Sequence, residues 1–148
     1  SLILSQAKGM GYAPKFFGCD GLDGILGVEN FDTALAEGVM LLTPFAADAA
    51  DEKTQKFVSD YKAAYGDIPN QFAADAYDAI YIVKAAAEKA DAQPSDAVAD
   101  LGTKMEDAMR SITVDGLTGA AMSWDADGAV NKAPKAMQII DGNYSLIQ

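Results

Sequence analysis

The sequence predicts an α/β fold: three long helices, short strands, and a β-meander at the C-terminal end. Three observations lead there. Within the first 45 residues, a helical pattern and apolar runs of strand length alternate, as they do where strands and helices are laid down in turn. Three longer helical patterns then follow one another up to about residue 111. Beyond them, the turn signals Asp127-Gly128 and Asp141-Gly142 interrupt short apolar stretches, the second lying directly between "KAMQII" and "YSLI".

Each element has its own local reason. Leu2, Ile3, Leu4, Ala7 and Met10 repeat at helical spacing, and Gly9, Gly11 and Pro14 end the helix. "PKFFGCD" reads as a short strand entering a glycine loop, and "LDGILGVENFDTALAEG" as one or two weak helices broken by Gly24 and Gly27. "GVMLLTPF" is an apolar run ending at a proline, as a buried strand would. The first long helix carries Phe57, Tyr61 and Tyr65 on one face, with acids at its start and Gly66 at its end. The second places Phe72, Ala73, Ala76, Tyr77, Ile80, Val83 and Ala87 on an apolar stripe, with Asn70 as N-cap. The third begins near Pro94 and Ser95, runs along Val98, Leu101, Met105 and Met109, and frays before Ile112.

Composition narrows the function. The chain has 148 residues, half of them hydrophobic and 22% charged, which describes a globular domain rather than a disordered one. No apolar run approaches the roughly 20 residues of a membrane span. With 22 acids against 11 bases the net charge is −11, a surface that repels phosphate backbones, so no nucleic-acid partner is expected. The absence of histidine removes the commonest general base and metal ligand. A zinc enzyme or a Ser-His-Asp hydrolase is excluded for this chain acting alone, and neither enzymatic activity nor a cofactor is expected. Cys19 is the lone cysteine, so no internal disulfide forms, and "SLILSQAKGMG" has neither a basic n-region nor a cleavage pattern.

Asp20 is the leading site candidate. It follows a strand by one or two residues, where ligands collect in open α/β sheets, and Gly18 and Gly21 would let a small molecule approach the backbone. A carboxylate there can accept charge-assisted hydrogen bonds from an ammonium group. Spacing alone favours the other reading, an Asx-type turn on a solvated loop. Phe72 stands at the first turn of its helix, where core packing is the favoured role and a cleft wall the alternative. Asp20, Asp23 and Glu29 have no accompanying nucleophile, and Asp23 alone reads as a cap or a solvated acid. Asp125-Ala126-Asp127-Gly128 lacks the acid a calcium loop requires further on and reads as a hairpin turn.

In their order, "LILSQAKGMGY", "KFFGCDGL", "AEGVMLLTPF", "TQKFVSDYKAAYGDIPNQFAADAYDAI" and "GLTGAAMSWDADGAVNKAPKAMQIIDGNY" resemble the C-terminal part of type I periplasmic solute-binding proteins. The similarity is greatest to the branched-chain amino acid (leucine/isoleucine/valine-binding) group that serves ABC importers. Its most specific pieces are "F-x-x-x-Y-x-x-x-Y-G-x-x-P", "F-A-A-x-A-Y-D-A", "G-x-T-G" and "W-D-x-D-G".

The resemblance implies an incomplete version of a two-lobed α/β fold that closes on its ligand. Residues 1–44 and 121–148 would belong to one lobe and residues 45–120 to the other. Asp20 would accept hydrogen bonds from the ligand's α-ammonium group, and Phe72 would line the pocket from the opposite lobe. Tyr77 is a further ligand-binding candidate whose other role is core packing. It implies an extracytoplasmic protein whose partners are an amino acid or similar small ligand and, for the intact protein, an ABC permease. The alternative is a ligand-sensing regulatory or receptor module of the same fold. Because family members are longer and grip the ligand carboxylate with loops outside this stretch, weak binding by this chain alone is expected. Helix faces without the sheet they cover in the family imply a homo-oligomer or a segment-swapped dimer.

Overall fold

A computed structural model describes residues 1–147. The chain forms two compact units, residues 1–71 with 134–148 and residues 72–133. These units follow from this chain's own packing, whereas the lobe boundaries at 44/45 and 120/121 refer to a two-lobed receptor.

The first unit is built on one sheet. Its elements are the helix α1 (Leu2–Gly9) and the strands β1 (Phe17–Gly18) and β2 (Met40–Thr43), then the helix α2 (Glu52–Tyr65) and the strands β3 (Lys135–Ile140) and β4 (Asn143–Leu146). Strand order is β1-β2-β3-β4, with β1 parallel to β2 and the other pairs antiparallel. The register sets Leu41 opposite Met137, Met137 opposite Leu146, and Ile139 opposite Tyr144. Because side chains alternate along a strand, Leu41 and Thr43 share one face with Met137, Ile139, Tyr144 and Leu146. Leu41, Thr43, Met137 and Ile139 on that face are buried. Ile139 joins Leu4, Ile25, Ala36 and Val39 in one apolar cluster, and Leu41 and Met137 join Ala46 in another.

The β3–β4 turn follows its expected chemistry, with Asp141 at φ 51° and Gly142 at φ 73°, the left-handed pair of a type I′ hairpin. The strand expected over "PKFFGCD" is shorter, because β1 pairs with β2 only at Phe17 and Gly18 before the chain coils into a 3₁₀ turn at Asp20–Leu22. The weak helices expected after it are 3₁₀ turns at Ile25–Gly27 and Thr33–Ala36. Gly24, at φ 91°, turns the chain where an α-helix would have to continue. Helix α2 starts on Asp51, whose Oδ1 accepts the Thr54 N–H at 2.9 Å, and ends on Gly66 at φ 78°. Burial works against ionisation of Asp51, but hydrogen bonds from Thr54 and the charge of Lys135 outweigh it and hold the carboxyl below its ordinary range. Phe57 meets Phe45 edge-on at 5.9 Å, while Tyr65, at the end of its stripe, is 72% exposed.

The second unit contains all but the first residue of the helix α3 (Gln71–Lys89), the helix α4 (Val98–Met109), and the following segment. In that segment Val114 bridges Met122 and Trp124 bridges Val130, without extended strands. The Asp125 turn is closed by its own side chain, whose Oδ1 accepts the N–H groups of Asp127 and Ala129, both at 2.9 Å.

Helix α3 reverses the expected orientation of its stripe. Ile80 and Val83 are 70% and 53% exposed, whereas Ala74, Asp78 and Ala86 are buried. Periodicity identifies the apolar side of a helix, but burial also requires something to cover it. In this unit the small side of α3 is the covered one, and the acid on that side is satisfied from within. The Asp78 carboxylate accepts Leu117 N–H, Thr118 N–H and the Thr118 hydroxyl, each at 2.8 Å.

Candidate ligand-binding site

The loop bearing Asp20 is formed by close packing and by its own backbone. A Cβ on Gly18 would run into the Leu22 side chain, so any larger residue where β1 hands over to the loop requires Leu22 to move. Asp23 N–H then donates to the Asp20 carbonyl at 2.9 Å, and Leu22 N–H to that of Cys19 at 3.1 Å. Asp20 itself is exposed, and its Oδ1 accepts the neighbouring Gly21 N–H at 3.0 Å. No ion pair to Asp20 forms among the described residues. Its side chain therefore makes the turn contact that spacing allowed and is presented to solvent on a fixed backbone.

What fixes that backbone is Gln71, which sequence reasoning did not single out. It is 1% exposed and uses both ends of its amide. Nε2 donates to the Asp20 carbonyl at 2.9 Å, and Oε1 accepts the Thr43 hydroxyl at 2.9 Å. Thr43 Oγ1 in turn accepts Phe45 N–H at 3.2 Å. Strand β2, the Asp20 loop and the first residue of α3 are thereby tied by one buried side chain. A threonine on the inward face of a strand just before a proline is the one sequence signal that a polar partner was needed there.

Asp23 proves to be a cap acting across a long chain separation. Its Oδ2 accepts the Gln71 N–H at 2.6 Å, one of the donors left open at the start of α3. Burial pushes its carboxyl up, against the opposing effect of backbone hydrogen bonds from Gln71 and Gly24. Nearby, the Tyr144 hydroxyl accepts Gly24 N–H at 2.9 Å and Leu26 N–H at 3.4 Å. Burial, reinforced by the charge of Asp23, pushes that phenol above its ordinary range, although the backbone N–H groups of Leu26, Gly24 and Ile25 act the other way.

Of the other expected site residues, Phe72 is 50% exposed in the first turn of α3. Tyr77 is 38% exposed and its ring lies tilted by 44° to that of Tyr81 at a centroid distance of 4.9 Å, with their hydroxyls 3.3 Å apart. Asp20 belongs to the first unit, and Phe72 and Tyr77 to the second. Among the described residues no group of three or more Cys, Asp and Glu is placed to hold a metal, and no helix is long and apolar enough to cross a membrane.

A family model described as periplasmic binding protein matches residues 1–143. Among solved structures, the chain is 25% identical to the branched-chain amino acid transporter substrate-binding protein LivJ of Streptococcus pneumoniae, solved in complex with isoleucine. That match has a TM-score of 0.77 and covers 98% of this chain and 40% of the other. It is 24% identical to a leucine-binding protein, LivK, of Thermotoga maritima, with a TM-score of 0.76 and coverage of 99% and 40%. It is 27% identical to a putative branched-chain amino acid ABC transporter protein of Rhodospirillum rubrum, with a TM-score of 0.60 and coverage of 97% and 40%. The chain thus spans about two fifths of the length of the structures it matches. No curated protein matches it.

Proposed function

The chain belongs to the periplasmic binding protein family, and from that premise we propose that it is part of an extracytoplasmic solute-binding protein delivering an amino acid or similar small ligand to an ABC importer. The observation that carries this reading is the likeness, over 98% of the chain, to a transporter substrate-binding protein solved with isoleucine. In this reading the protein does no covalent chemistry and binds by closure of two lobes. Asp20 receives the ligand ammonium, Phe72 contacts the ligand side chain, and Tyr77 lines the pocket more peripherally. The exposure of Asp20 on a rigid backbone supports its role, since a binding carboxylate is most effective when already held in place.

Isothermal titration of leucine, isoleucine and valine into the protein expressed from its whole reading frame tests the proposal. A hydrogen-bonded charge pair contributes about 1.5–3 kcal/mol, so Asp20→Asn should weaken binding by roughly tenfold or more. Unchanged affinity in Asp20→Asn would remove Asp20 from the site, and heat-silent titrations with all three amino acids would remove the ligand class.

The exposed apolar side chains Leu2, Ile3 and Met10 in and beside α1 and Ile80 and Val83 on α3 support a second part of the proposal, self-association as a homo-oligomer or segment-swapped dimer. Multi-angle light scattering of the 148-residue chain should give at least a dimer mass. A monomer mass at high concentration overturns it.

A further inference from the structure

Within the first unit, a cavity of about 490 Å³ opens on the inward face of the sheet, a volume in the range of small-molecule sites. Asp20 is not among the residues lining it. Buried Leu41 of β2, Met137 of β3 and Phe45 lie beneath it, and Leu26, Ile68 and Val58 of α2 are among its accessible walls. Asp23 and Tyr144 supply polar groups, and Asp48 and Asp67 add two more carboxylates. None of the lining residues is a lysine or an arginine.

We propose that this cavity is a second binding site, for a small amphipathic amine whose ammonium group sits on the Asp23 carboxylate and whose apolar body lies against Leu26, Val58, Ile68 and the Tyr144 ring. The chemistry of the lining selects that class. An apolar body removes from water the accessible part of that lining, above all Ile68, which is 56% exposed. Asp23 is held by the backbone N–H of Gln71 on Oδ2, so its position is set before any ligand arrives. A carboxylate has about four acceptor sites, and the N–H groups of Gln71 and Gly24 leave room for an ammonium donor. Burial has stripped this carboxylate of part of its hydration, and a cation placed against it restores the lost stabilisation. A ligand carboxylate fares differently, meeting three acids and no cationic partner. The site therefore prefers an amine to the amino acid of the same side chain, which sets it apart from the Asp20 site and makes it independent of the reading of that site.

The probes are 3-methylbutylamine, 4-methylpentanoate and leucine, which share a branched apolar body and differ in their charged groups. Each is titrated into the isotope-labelled protein at neutral pH while the Met137 methyl and the Tyr144 and Leu41 amides are followed by NMR. The amine is expected to give saturable shifts at all three positions, with the acid and leucine at least tenfold weaker there. Asp23→Asn keeps an oxygen that can accept the Gln71 N–H but lacks the charge, and it should weaken the amine by at least tenfold. Val58→Trp, which fills the cavity from α2 and leaves Asp23 intact, should abolish the shifts. Absence of saturable shifts, equal affinity for 4-methylpentanoate, or amine binding unchanged in both variants overturns the proposal.

Discussion

Replacing Asp78 by alanine should lower the stability of the chain by about 3–5 kcal/mol, the cost of leaving buried polar groups without their charged partner. Asp78 is 2% exposed, and its two oxygens receive three donors from the Leu117–Thr118 turn. The alanine variant leaves two backbone N–H groups inside the protein with nothing to accept them, and the Thr118 hydroxyl with only the weak acceptor Met122 Sδ at 3.9 Å. The turn cannot retreat easily, because it is seated on the carboxylate. A Cβ on Gly116 would stand 2.6 Å from Asp78 Cγ and 2.5 Å from Met122 Cε, which shows how little space separates them. Asp78→Asn retains one acceptor but turns an NH₂ toward donors, so it should fall between alanine and wild type. Thr118→Val removes only the hydroxyl contact and should cost on the order of 1 kcal/mol. Urea denaturation followed by circular dichroism ranks the three. A loss below 1 kcal/mol for Asp78→Ala would show that water reaches the turn and that the acid is not the clamp described. Against a total stability of about 5–15 kcal/mol for an ordinary domain, the predicted loss decides whether the second unit stays folded.

Gln71→Ala should cost about 2–3 kcal/mol, and the damage should appear first in the loop that carries Asp20. The substitution removes the donor to the Asp20 carbonyl and the acceptor of the Thr43 hydroxyl, and it opens a hole where a 1% exposed side chain stood. Gln71→Met nearly keeps the side-chain length and volume but has no donor for the Asp20 carbonyl, so it tests the hydrogen bonds apart from the cavity. Thr43→Val leaves Gln71 Oε1 unpaired and should cost about 1–2 kcal/mol. Since Thr43 and Gln71 are in direct contact, the double variant should lose less than the sum, with a coupling above about 0.5 kcal/mol. Amide exchange at Asp23, whose N–H donates to the Asp20 carbonyl, should accelerate in Gln71→Ala before global unfolding does. Protection at Asp23 equal to wild type would mean that the loop stands by its own turn geometry and that Gln71 merely fills space.

These two residues show where reading the sequence stops. Gln71 reaches Thr43 across 28 residues and Asp20 across 51, and Asp78 reaches its turn across 39 and 40. Nothing within a helical window distinguishes a glutamine or aspartate bound for such a partner from one facing water. Asp23 shows the same limit, since its capping role was legible but not the helix it caps, which begins 48 residues later.

The sequence by itself determined the elements whose causes are local. The α/β order, the span of α2 between the Asp51 cap and Gly66, and the Asp141-Gly142 hairpin all follow from residues only a few positions apart. It also marked Asp20 as a residue beyond a strand end and carried the motifs by which the family is recognised. Only the tertiary structure decided that β1 pairs over two residues, that α3 buries Ala74, Asp78 and Ala86 rather than its bulky stripe, and that Gln71 anchors the Asp20 loop. The physical reason is that dihedral preferences, caps and turns act within a few residues. Burial and polar satisfaction depend on which distant surfaces come to lie against each side chain.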